Sequence, residues 1–411
     1  YMLESGSPVS DVLMYLGDEQ NHKPPQSLDF QEGYAYDYCN PDVLLNRLSV
    51  KNGQLLTPEG IAYRILWLYD CKRMLPETLE KILSFAKQGV TIVGEAPTGI
   101  ATLSGGETEE AHFRKAVEAL WGNGKQSVRK VGKGKVYNSN IRSALASEKI
   151  QPDINIKFSD VRWLHRKTND SDFYFLSVPG EKGYRGTVSF RSKGNAEIWD
   201  PLTGEIKGVA SKLTEDGYTH IEADFPAGTS CFVVFRESNV SQLEELLPVA
   251  EKKEIQNGWE VSFPAGWGIE QSPVKIGRLM AWKDIPSLNT EGKAFSGTAV
   301  YHTTFLLDDT TDKAHYLLDL GRVEMIAKVR LNGSEVATKW TYPYKMDITD
   351  YLQPGENRLE IAVTSTWFNR LAYDAGLPEH ERKTWTINAP KAGSLLKDYG
   401  LFGPVSISRM P

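Results

Sequence analysis

The chain has 411 residues, 40% of them hydrophobic and 24% charged, with a formal net charge of −6. That length exceeds one ordinary core and predicts two to four globular domains, while the negative balance gives no electrostatic reason to bind nucleic acid. No apolar run reaches the roughly 20 residues needed to span a bilayer, and the opening YMLESGSPVS lacks the basic n-region of a signal peptide. Tyr1 as first residue suggests a piece of something longer, so the compartment is not legible from this end. Three cysteines, Cys39, Cys71 and Cys231, are odd in number and far apart, which excludes a disulfide framework and a four-cysteine zinc site.

Residues 1–157 alternate compact apolar runs with amphipathic stretches. VLMYL (12–16), RILWLY (64–69), VTIV (90–93) and KVYN (135–138) read as strands. PETLEKILSFAKQ (76–88) opens on a proline and closes at Gly89, and TEEAHFRKAVEALW (108–121) carries acids in its first turn, so both read as helices. Continuous apolar strands between helices predict a parallel sheet covered on both faces, an α/β domain. From 158 to 240 only strands follow (DVRWLHRK, DFYFLSV, RGTVSFR, AEIWD, HIEADF, SCFVVFR), which predicts a small antiparallel β-sandwich. The charged stretch 241–258 reads as a linker. Residues 259–411 are again strand-rich, with Asn332-Gly333 and Pro354-Gly355 as tight-turn chemistry between alternating runs.

Open parallel sheets bind ligands beyond the carboxyl ends of their strands. Asp18, Glu19, Asp70 and Glu95 stand there and could line a polar crevice, although sheet ends are also polar simply because they are solvated. Phosphate is disfavoured, since no glycine-rich phosphate loop follows a strand and carboxylates repel anions. Cys71 also ends a strand, yet bulky and charged neighbours on both sides do not suit a strained nucleophile turn. In the last domain Trp340, Tyr342, Trp367 and Trp385 offer flat stacking faces, and Asn369, Arg370 and Asp374 stand beside them. Together they form the candidate sugar-binding surface, with Trp and Tyr as ordinary core filler the competing reading. The irregular stretches Tyr1–Val9 and Phe30–Tyr38 fall outside the βα rhythm and are expected to expose aromatics.

Blocks in fixed order, from YDYCNPDVLLNRLSVKNGQLLTPEGIAYRILWL through GRVEMIAKVRLNG to WFNRLAYDAGLPEHERKTW and GLFGPV, resemble the C-terminal half of bacterial α-L-rhamnosidases of glycoside hydrolase family 106. The pattern NG…W…PY…DIT..L..G.N.L.I.V is similar to the sugar-binding jelly roll of glycoside hydrolase family 2. The resemblance implies a flavodoxin- or amidotransferase-like α/β domain, a small β-sandwich and a galactose-binding-like jelly roll, in a periplasmic or extracellular protein. It further implies that the acid and base carboxylates lie on a barrel N-terminal to Tyr1, so no catalytic residue is assigned within the chain. The expected function is therefore an accessory, non-catalytic region of a rhamnosidase-type hydrolase acting on plant polysaccharide, with a free-standing carbohydrate-binding or scaffolding protein as the alternative. Carbohydrate and the catalytic barrel are the expected partners. No cofactor is expected, and a structural calcium is the one ion left open.

Overall fold

The computed structural model describes residues 1–19, 28, 30, 32–157, 160–180, 182–237, 243–244, 252–256, 258–269, 272–307 and 314–410. The protein is built mainly from β-sheets with few helices, and its chain divides into two compact units, Tyr1–Phe225 with Ser230–Leu246 and Pro226–Thr229 with Leu247–Pro411. Apart from Pro226–Thr229, the expected first and second domains thus fall together in the first unit.

The first unit opens with a six-stranded sheet. Its order is Val128–Val131, Gly134–Tyr137, Thr91–Val93, Ile65–Leu68, Val12–Tyr15, Tyr36–Cys39, parallel throughout except for the antiparallel first pair. Every residue of Val12–Tyr15, Ile65–Leu68 and Thr91–Val93 is buried. This is why those runs are continuously apolar: helices cover the sheet and leave no solvated face. Helix Pro76–Gln88 starts on its proline and stops where Gly89 turns left-handed at φ 117°, and it buries Leu79, Ile82, Phe85 and Ala86. The chain leaves Val12–Tyr15 for Tyr36–Cys39 on one side and then crosses to Ile65–Leu68 on the other. That reversal opens a crevice at the carboxyl ends of the two inner strands.

Strands Arg162–Lys167, Ser171–Val178, Thr229–Arg236, Asn195–Trp199 and Ile206–Val209 form the middle of a second sheet, and Tyr184–Phe190 and Thr219–Phe225 the middle of a third. The two enclose a core that includes Tyr174, Leu176, Val188, Phe190, Ile221 and Phe235. The lead-in does not project as a free aromatic arm, because Ser7–Pro8 pairs antiparallel with Arg166 and Lys167. Phe30 likewise folds back, stacking on Trp67 at 5.5 Å and meeting Tyr36 edge-on at 4.8 Å, whereas Tyr1 and Tyr38 are exposed. Within the expected linker, 243–244 and 252–254 are short strands that join neighbouring sheets. Its residues 241–242, 245–251 and 257 lie outside the described residues.

The second unit places a six-stranded antiparallel sheet (Val274–Ile276, Trp259–Ser262, Thr298–Leu307, Gly355–Thr364, Ile326–Leu331, Ser334–Lys339) over a four-stranded one. Between them lies one apolar core with Trp259, Trp282, Tyr301 and Phe295 at its centre. The Asn332-Gly333 turn forms as its chemistry demands, with φ of 53° and 83°. Asn332 also donates to Tyr351 O at 2.9 Å and to Asn357 Oδ1 at 2.8 Å. The fully buried Asn357 in turn accepts from Gln353 N and donates to its carbonyl. Two turns distant in sequence are thereby locked to one another.

Candidate functional site

At the crevice of the first sheet, Asp18, Glu19, Asp70 and Cys71 line a cavity of about 280 Å3, and Glu95 is exposed outside that lining. Asp18 is committed to the fold. It accepts from Tyr15 Oη at 2.5 Å, Thr78 Oγ1 at 2.7 Å and Leu75 N at 2.9 Å, and so satisfies donors at the start of helix Pro76–Gln88. Glu19 faces Arg73 at 3.5 Å and Asp70 faces Lys72 at 3.2 Å, both on the surface. Burial pushes the Cys71 thiol up to about 12, with Asp18 and Asp70 adding to it, so the thiolate a nucleophile needs is suppressed. Asp18→Asn is expected to cost about 1 kcal/mol, as for loss of a helix cap, and thermal unfolding checks it. A variant as stable as the parent would show that the helix start does not depend on this carboxylate.

The structure divides the aromatic candidates of the second unit from the polar ones. Trp340, Trp367 and Trp385 are 66%, 48% and 74% exposed, and Tyr342 packs edge-on against Tyr344 at 5.0 Å. Asn369, Arg370 and Asp374, expected beside the rings on one surface, are instead buried. The stretch is a short helix, Phe368–Asp374. Arg370 and Asp374 stand four residues apart and so share its inward face. Asn369 donates to Lys397 O at 2.9 Å and accepts from Lys397 N at 2.8 Å, which uses its amide to hold a loop. Arg370 pairs with Asp374 at 2.6 Å and Glu291 at 2.8 Å, and its guanidinium lies over the rings of Trp267 and Tyr373. Asp374 Oδ2 accepts from the backbone N–H groups of Lys383 and Thr384 and from Thr384 Oγ1. Of the three, only Arg370 lies against a tryptophan, Trp267.

Residues not singled out in the sequence complete this place. Trp267 lies 5.6 Å from Trp367, tilted by 53°. Lys383 reaches Glu291 Oε1 at 2.8 Å and the carbonyl of Gly266 at 2.6 Å. The Lys383 and Arg370 contacts hold the Glu291 carboxyl below the ordinary glutamate value. Gly268 is required here, since its φ is +77° and a Cβ would meet the Glu291 side chain at 2.7 Å. The one available signal was the Gly-Trp-Gly run at 266–268, with an aromatic between two turn formers. Among the described residues, no group of three or more His, Cys, Asp or Glu side chains is placed to hold a metal ion.

The chain belongs to the α-L-rhamnosidase family, glycoside hydrolase family 106, whose sequence model matches residues 1–213. A model of glycosyl hydrolase 2 galactose-binding-like domains matches residues 283–394. The solved rhamnosidase of Novosphingobium sp. PP1Y superposes on 99% of this chain with a TM-score of 0.76 and 28% identity, and this chain covers 40% of that one. A Formosa agariphila protein named as a β-glucuronidase is 32% identical over 263 residues, which are 62% of this chain and 21% of that protein. The chain thus spans less than half the length of either. These matches correct the functional expectation. The rhamnosidase family model covers the chain from residue 1, and a rhamnosidase matches it almost end to end. Both count against a non-catalytic accessory region and against a free-standing binding or scaffolding protein, and they direct the question to the glycosidase itself.

Proposed function

We propose that this protein is a glycoside hydrolase that releases L-rhamnose from rhamnosylated polysaccharide. The observation that carries this reading is the rhamnosidase match across 99% of the chain at a TM-score of 0.76, joined to the family match over residues 1–213. In this reading the parallel sheet and its helices are the flavodoxin- or amidotransferase-like domain, supported by the strand-order reversal at Val12–Tyr15. The second unit is the galactose-binding-like jelly roll, supported by its facing antiparallel sheets and by the match over residues 283–394. Polymers of that kind do not enter cells, so the protein acts in the periplasm or outside the cell.

Glycoside hydrolysis needs one carboxylic acid to protonate the leaving oxygen and a second carboxylate to activate water or attack carbon. The acids that border the two places described above are already engaged, Asp18 by a helix and Glu291 by two cations. Neither is assigned a catalytic role. The Formosa relative favours a second reading, a β-glucuronidase. Turnover of aryl α-L-rhamnoside and aryl β-D-glucuronide, measured side by side on the purified protein, separates them. The rhamnoside is expected to be cleaved at least about 100-fold faster in kcat/KM, a difference of about 2.7 kcal/mol in transition-state binding. Preferred cleavage of the glucuronide would replace the proposal with the second reading.

A further inference from the structure

We propose that Trp267 and Trp367 form a sugar-stacking subsite on the second unit, edged by Glu291 and Lys383, which holds a neutral 6-deoxyhexose; the choice of sugar rests on the rhamnosidase reading above. Trp367 is nearly half exposed although it sits where a short helix begins, a position any small polar residue could fill. Its ring meets Trp267 at 5.6 Å and 53°, which makes a wedge of two indole faces and not a flat stack. The wedge is held in place by its neighbours, and Lys383 Nζ also lies over the Trp267 ring, 5.7 Å from its centroid. The Arg370 guanidinium lies 5.3 Å from the Trp267 ring centroid, Phe295 meets that ring edge-on, and Arg370 is fixed by Asp374 and Glu291. A preformed apolar surface costs little ordering on binding.

The polar edge has free capacity. Glu291 Oε1 takes both cations, while Oε2 accepts no hydrogen bond among the described residues, and the carboxylate is partly exposed. Lys383 Nζ makes two hydrogen bonds and has a third proton to give. A pyranose offers matching chemistry: a C–H face for an indole, hydroxyls that donate to Oε2 and accept from Nζ, and, in a 6-deoxyhexose, a methyl group for the second indole. A uronic acid that set its carboxylate at Oε2 would meet a like charge, so the Glu291 edge favours neutral sugars.

The test is titration of the whole chain with L-rhamnose, read by saturation-transfer NMR and tryptophan fluorescence, with D-glucuronate alongside. Transfer to the rhamnose methyl and ring protons is expected. Trp367→Ala and Trp267→Phe should each weaken binding about tenfold or more, as for the aromatic anchor of a small interface. Glu291→Gln should weaken it less while narrowing the preference over glucuronate, and Leu202→Ala, an exposed apolar change in the first unit, should leave it unaltered. No transfer with the parent protein, or parent-like binding by Trp367→Ala with unchanged circular dichroism, would overturn the subsite. Hydrolysis is assayed on the same samples. Binding retained in a protein without rhamnosidase activity refutes the hydrolase reading alone, and activity retained without binding at the tryptophans refutes the subsite alone.

Discussion

Arg370→Met is expected to lower the melting temperature of the second unit by about 10 °C. The substitution leaves Asp374 buried without its cation, and breaking a buried pair from one side costs roughly 3–5 kcal/mol, each kilocalorie being worth about 2–4 °C in a domain of this size. Arg370 is only 1% exposed, and so is Asp374. The methionine keeps most of the packing against Trp267 and Tyr373, so the loss reports on charge and not on volume. Joint replacement, Arg370→Met with Asp374→Leu, should recover a large part of the loss, since removing both charges also removes their desolvation cost. Burial acts to raise the Asp374 carboxyl, but Arg370 and Thr384 outweigh it, and the group lies below the ordinary aspartate value, as Glu291 lies below its own. Carboxyls depressed on folding contribute stability above their unfolded values and lose it as pH falls through the folded ones. The second unit should therefore weaken below about pH 4, and less so in the double variant. A single variant that melts within about 2 °C of the parent would mean that the pair is better solvated than its burial implies.

His165→Ala is expected to destabilise the first unit by a similar amount, about 3–5 kcal/mol, because it removes the buried cation that two carboxylates share. Asp153 meets His165 Nδ1 at 2.8 Å and Asp172 meets Nε2 at 3.0 Å. With a carboxylate on each nitrogen, both must carry protons, so the ring is an imidazolium. Burial opposes that charge, yet the hydrogen bonds to Asp153 and Asp172 prevail and raise the imidazole above its ordinary value. The node extends further, since Arg191 reaches both Asp153 and Asp11, Lys167 reaches Asp172, and Tyr174 stacks on the ring at 4.1 Å. A group raised on folding stabilises fully below its unfolded value, near pH 6.5, and the contribution fades as pH rises through the folded value. The first unit should thus lose stability above neutrality, and His165→Ala should lose that dependence along with its stability. Equal slopes of melting temperature against pH in parent and variant would show that the imidazolium is not the responsible group.

Strands and helices that depend on local pattern are legible in the sequence. The apolar runs at 12–16, 64–69 and 90–93 became buried parallel strands, helix Pro76–Gln88 kept both its ends, and Asn332-Gly333 turned as its residues demand. What failed was the assignment of side chains to surfaces. WFNR reads as aromatic and polar chemistry on one surface, but one short helical segment turns Arg370 and Asp374 inward and leaves only Trp367 outside. A helix of seven residues has too few periods to announce itself in sequence. Asp18 illustrates the same limit. Its place after a strand was readable, whereas its use by Leu75 and Thr78, some sixty residues away, depends on tertiary contact alone. Trp267, Glu291 and Lys383 come from three separate stretches, and only the fold brings them around Trp367.

The proposed activity is the removal of rhamnose. The most direct measurement is the identity of the sugar released when the purified protein is incubated with a rhamnosylated oligosaccharide, followed by proton NMR through the methyl doublet of free rhamnose. Free L-rhamnose appearing in proportion to enzyme concentration and time is the predicted result. Release of glucuronic acid alone, or no sugar released from any rhamnoside offered, would contradict a rhamnosidase activity.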